Sequence, residues 1–152
     1  MKTKILFLLS LFFILNSCNS GTFSQFDKMP ENNRWEKSDL KGYEFEIKDD
    51  SKRYTIVFEF SHVYDYQFDS IPIQFMIKSP DGKEENLAVD LQLKDSSGKQ
   101  LAECSGDVCD LKYTVKKQTR LNRGTYKIIV SHNFKAAPFL PNVIGIGLSV
   151  NP

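Results

Sequence analysis

From residue 43 onward, apolar and polar side chains take turns with a period of two. Tyr43, Phe45 and Ile47 alternate with Glu44, Glu46 and Lys48. An extended chain therefore carries its apolar groups on one face and its charges on the other. Tyr54, Ile56, Phe58 and Phe60 repeat the scheme, and so do Ile71, Ile73, Phe75 and Ile77. Further along come Leu87 to Leu93, Leu111 to Val115, Tyr126 to Val130 and Ile144 to Val150 at the same spacing. Turn chemistry separates these runs: Asp49-Asp50-Ser51-Lys52, Ser79-Pro80-Asp81-Gly82, Asp95-Ser96-Ser97-Gly98 and Asn122-Arg123-Gly124. Short alternating runs joined by turns predict an all-β fold, a single antiparallel β-sandwich of Ig-like or jelly-roll-like kind over residues 27–152. Helical periodicity is nearly absent, and periodicity does not give the strand order.

The amino terminus follows another pattern. Met1-Lys2-Thr3-Lys4 is basic, and Ile5 to Leu15 is apolar except for Ser10. A basic start, a short apolar run and a small residue before a cut make a secretory signal peptide. The run is shorter than the roughly 20 apolar residues a membrane-spanning helix needs. Leu15-Asn16-Ser17-Cys18 sets an aliphatic residue three before a cysteine and a small residue next to it, which suits lipoprotein processing. Residues 1–17 are therefore read as a cleaved signal, Cys18 as the lipidated first residue of the mature chain, and residues 18–26 as a tether. Each buried lipid methylene contributes about 0.8 kcal/mol, so two or more acyl chains hold a protein on a bilayer.

Charge and cysteine usage fit an exported chain. Loss of residues 1–17 removes Lys2 and Lys4 and leaves 18 basic against 19 acidic side chains, which argues against a nucleic-acid partner. Cys104 and Cys109 flank Ser105-Gly106-Asp107-Val108 and read as a disulfide stapling a hairpin in an oxidising compartment. Free thiols, or a redox or metal pair, remain as alternatives.

Candidate chemistry is sparse. His62 and His132 each follow a Ser at the end of a run, and they bind a metal only if a third ligand joins them. Glu44 and Glu46 lie on one strand face, a spacing open to a glycosidase pair but matching a solvated outer face. No calcium-loop spacing, no nucleotide fingerprint and no Gly-x-Ser-x-Gly elbow occurs. The chain is accordingly expected to be no enzyme and to hold no cofactor or metal. Two aromatic stretches stand out instead: Tyr64, Tyr66 and Phe68 in the segment from His62 to Ile73, and Phe134, Phe139 and Leu140 between two late strands. Each either caps the core or anchors a partner.

Those stretches, with the ends of the domain, resemble the gliding-motility lipoprotein GldH family of the Bacteroidota. Phe26-Asp27 through Pro30 to Trp35 is similar to the family's opening, and Asp65 to Ser70 falls where it has an aromatic turn. Ser79-Pro80-Asp81-Gly82 is similar to its Ser-Pro-Asp-Gly turn. Leu93-Lys94-Asp95 through Gly98, Ser105 to Val108, Gly124-Thr125-Tyr126 and Leu140-Pro141-Asn142-Val143 follow in the family's order. Gln67 stands where the family has Pro, Phe68 where it has Tyr and Asn142 where it has Gly.

The resemblance implies a non-enzymatic envelope lipoprotein that supports gliding as an assembly or scaffold component of the adhesin-moving or adhesin-exporting machinery. Its partners are then envelope proteins of that machinery, bound through Tyr64, Tyr66, Phe68, Phe134, Phe139 and Leu140, and the membrane through Cys18. In that phylum Asp-Ser-aliphatic is an O-glycan acceptor pattern, which Asp69-Ser70-Ile71 fits. Asn19-Ser20-Gly21-Thr22 carries none of the acidic residues of a surface-export signal, which favours the periplasmic face of the outer membrane. The other expectation, from a different class, is a carbohydrate- or peptidoglycan-binding sandwich that stacks sugars on Trp35, Tyr64 and Tyr66.

Overall fold

The computed structural model describes residues 22–152; the signal segment and Cys18 lie outside the described residues. Eleven strands follow in order: β1 (Phe23–Lys28), β2 (Trp35–Glu36), β3 (Lys41–Ile47), β4 (Arg53–Val63), β5 (Ser70–Lys78), β6 (Glu84–Gln92), β7 (Glu103–Ser105), β8 (Val108–Arg120), β9 (Gly124–His132), β10 (Phe139–Leu140) and β11 (Val143–Asn151). All seven alternating runs fall within these strands or at their ends. The phase is the expected one: in β3 Tyr43, Phe45 and Ile47 are buried while Glu44 and Glu46 are exposed.

Two sheets face each other. One has the order β1-β11-β4-β8-β7, the other β3-β9-β5-β6, and β2 pairs with β10 in a small third ladder. Every pairing is antiparallel. Rings hold the layers together. Phe58 of β4 meets Phe75 of β5 edge-on at 5.3 Å, and Phe75 stacks towards Tyr113 of β8 at 6.4 Å. At the far edge Phe23 of β1 lies 5.6 Å from Phe45 of β3. Tyr43 reaches across the layers, its hydroxyl donating to the Ile146 carbonyl at 3.3 Å. Burial of Phe- or Ile-sized side chains contributes about 1.5–3 kcal/mol each, so these facing rows are the main source of stability.

One boundary is corrected. The tether expected over 18–26 ends sooner, because Phe23 to Phe26 already belong to β1 and pair with Val150 to Gly147 of β11. The polar alternation of Ser24 and Gln25 disguised an edge strand. Phe26 lies flat on Gly145 and Gly147 of the neighbouring strand, where a Cβ on Gly145 would come within 2.5 Å of the Phe26 ring. The two glycines are the seat of that ring.

Candidate functional site

At the end where β4 finishes, the chain runs Phe60-Ser61-His62-Val63 and then loops through Tyr64 to Asp69 into β5. Asp65 sits at φ +55°, a left-handed conformation that Asp tolerates better than most residues. The kink breaks the alternation. Tyr64 is 59% exposed while Tyr66, two residues on, is 2% exposed. Tyr66 packs on Phe60 at 5.8 Å, His62 at 4.9 Å and Phe68 at 5.7 Å, and Phe68 continues to Phe134 at 4.8 Å. The Tyr66 hydroxyl donates to the Pro141 carbonyl at 2.9 Å, which ties this loop to the one before β11, and burial pushes its pKa well above the ordinary phenol value.

Beside this stack, Trp35 is fully buried and meets His132 edge-on at 4.9 Å. Its indole N–H donates to the Asp39 carbonyl at 2.8 Å. His132 is held in one neutral tautomer. Nε2 faces the Trp35 carbonyl at 3.0 Å, which can only accept, so Nε2 carries the proton; Nδ1 accepts from the Phe134 N–H at 3.3 Å. In His62, Nδ1 donates to the Val63 carbonyl at 2.8 Å, and Nε2 is buried without a partner. Burial lowers both imidazole pKa values. Next to His62, the Ser61 hydroxyl donates to Asp110.

The residues expected to bind partners therefore divide. Tyr66, Phe134 and Leu140 are buried, Phe68 is half-buried in the same stack, and none of the four offers an open contact face in this fold. Phe139 is half-buried under the Arg34 guanidinium, 4.2 Å above its ring. Tyr64 alone of the six is exposed. The cause is that end-capping and partner-anchoring draw on the same residue types, and only the Asp65 kink separates Tyr64 from Tyr66. Trp35 is equally unavailable for stacking on a sugar.

The two histidines do lie at the same end, on facing sheets, each bound up in its own packing. No group of three or more His, Cys, Asp or Glu side chains among the described residues could hold a metal ion. Glu44 and Glu46 face solvent and pair with Lys127 at 3.1 Å and Lys48 at 3.9 Å. Ser70 opens β5, half-exposed, and its hydroxyl donates to Asp90 at 3.0 Å. Cys104 and Cys109 are disulfide-bonded. They are direct cross-strand partners in a hairpin whose turn uses Gly106 at φ +61°.

One surface feature escaped the sequence reading. A shallow groove of about 480 Å³ lies on the outer face of the β3-β9-β5-β6 sheet, bordered by Leu40, Gln74, Met76, Asn86 and Ile129. The signal was present in two lapses of alternation, Ile128-Ile129-Val130 and Phe75-Met76-Ile77, where an outward position is apolar.

The profile of the GldH lipoprotein family matches residues 22–150. The chain belongs to that family. The match covers the sandwich from its first strand to its last, so the ordered motifs that resemble GldH proteins belong to one folded unit. Membership makes this a lipid-anchored envelope protein of a family named for gliding motility. Among curated proteins none matches the chain.

Proposed function

We propose that this GldH-family chain is a non-enzymatic scaffold or assembly component of the gliding and adhesin-export machinery. Its place is then the outer membrane, facing the periplasm, with lipid on Cys18. The observation that carries the reading is the family match over 22–150. The packing agrees with it. Both histidines and most of the aromatic side chains around them are consumed in closing one end of the sandwich.

The partner surface is then the rim of that closed end, with exposed Tyr64 beside the β7–β8 turn and the Arg34–Phe139 pair on the β2/β10 ladder. Tyr64 is fixed there by its N–H on the Asp107 carbonyl at 2.9 Å. A presented aromatic of this kind gives large contact area at little entropy cost.

The test is a tagged pull-down from detergent-solubilised envelopes comparing wild type, Tyr64→Ala and Cys18→Ala. Co-purification of motility or secretion-machine proteins, reduced by Tyr64→Ala with folding intact, is the expected result. Unchanged recovery with Tyr64→Ala removes that surface, and recovery of no envelope protein removes the scaffold reading.

A further inference from the structure

The chain enters the sandwich at the end opposite the aromatic cap. The Thr22 N–H donates to the Val150 carbonyl at 2.8 Å, Phe23 pairs with Val150, and Val150 pairs with Ile56. Entry is therefore beside the start of β4 and the finish of β8. Only Asn19, Ser20 and Gly21 separate Cys18 from Thr22, and four backbone steps reach at most about 14 Å. Whatever holds Cys18 holds this end close to it.

The same end is basic. The β3–β4 and β8–β9 turns meet there through Arg123 and Asp50 at 3.6 Å, and Lys52 pairs with Asp49 at 3.8 Å. Arg53, Lys117 and Arg120 are exposed, and among the described residues they make no ion pair. Arg53 and Arg120 are direct cross-strand partners, a placement of like charges that costs stability unless an anion lies between them. The backbone arranges it. The β4–β8 register slips twice between Tyr54 and Val57, and Gln118 in the irregular stretch stands at φ +46°. The Gln118 carbonyl accepts from Arg53 Nη1 at 3.1 Å, and its amide groups bond Thr55 Oγ1. Bulges of this kind re-aim side chains. Arg53 near the start of β4 and Lys117 and Arg120 near the finish of β8 thus stand at the end where the chain enters, without an ion pair among the described residues.

We infer that this end of the sandwich docks on an anionic phospholipid surface, with Arg53, Lys117 and Arg120 contacting lipid phosphates. The short tether delivers the surface and the charge complements it. A protein docked in this way stands upright on the bilayer and turns its aromatic-capped end outward. The inference rests on the lipid-anchor reading only for proximity, so it is testable without the lipid.

The measurement is co-sedimentation of the mature chain carrying Cys18→Ser with phosphatidylcholine vesicles, with and without phosphatidylglycerol. Binding is expected only with phosphatidylglycerol and is lost as salt is raised. One basic side chain at an anionic surface is worth roughly five-fold in partitioning, so Arg53→Gln/Lys117→Gln/Arg120→Gln lowers it about 100-fold. Lys117→Gln alone, at an exposed position, lowers it about five-fold and covers the case of a triple variant that does not fold. A control pair on the capped side, Lys37→Gln/Lys135→Gln, leaves it unchanged. Indifference to phosphatidylglycerol, or equal loss with the control pair, overturns the proposal. Lipid on Cys18 is read separately from the mass of the wild-type chain, so vesicle binding by a chain found to lack lipid upholds the docking surface and removes only the anchor.

Discussion

Where β4 finishes, ring lies on ring from Phe60 through His62, Tyr66 and Phe68 to Phe134, and Trp35 and His132 close the side. Where β4 begins, Arg53 faces Arg120 across the ladder and the turns are charged. The eleven residues of β4 separate the two by roughly 35 Å at the usual strand rise. One end is sealed by burying groups that could bind; the other is left open, and its Arg53, Lys117 and Arg120 make no ion pair among the described residues. In this protein exposure and burial, more than residue type, tell which aromatic and which cation is free to act.

The largest effects come from unsealing the cap. Trp35→Ala and Tyr66→Ala each cost about 3–5 kcal/mol in urea unfolding, since both remove a buried ring and leave a cavity. A cost under about 1 kcal/mol would mean that the cap is not part of the cooperative fold. Acid attacks the same end. His62 and His132 have folded-state pKa values below their ordinary one, near 6.5 in an unfolded chain. Below about pH 6.5 the unfolded chain takes up these protons first, so the histidines' contribution to stability falls with falling pH and is level above it. His62→Phe keeps a ring beside Tyr66 and flattens the slope; an unchanged slope would acquit His62.

Smaller effects lie further along β4 and β8. Cys104→Ser/Cys109→Ser costs at most about 2 kcal/mol, because the bond closes only a short loop; chemical unfolding measures it. At the open end, Arg53→Gln or Arg120→Gln changes stability by no more than about 0.5 kcal/mol, neutral or stabilising, because each relieves a like-charge pair. A loss above about 1 kcal/mol there would make the arginines structural and weaken the contrast between the ends.

Periodicity in the sequence carried the strands of the core, since a sandwich needs one buried face per strand and Tyr43 to Ile47 or Ile71 to Ile77 can satisfy that in one register only. The strand β1 was hidden because an edge strand lying over glycines needs little apolar alternation. Short pieces such as β2 and β10 are set by tertiary contacts, the Trp35–Leu140 pairing above all. At the candidate site the composition was legible and the orientation was not. Tyr64 and Tyr66 look equivalent in a row of letters, and one left-handed Asp65 sends them to opposite sides. The basic end is not legible in the sequence because its members are spread over β4, β8 and two turns, and only the register unites them.

The most direct test places a photo-crosslinking benzoylphenylalanine at Tyr64 or, in a second variant, at Asn122 in the β8–β9 turn, and irradiates intact cells. The contrast between the two ends requires protein adducts from position 64 and phospholipid adducts from position 122. Lipid adducts from position 64, or protein adducts from position 122 with none from position 64, would contradict it.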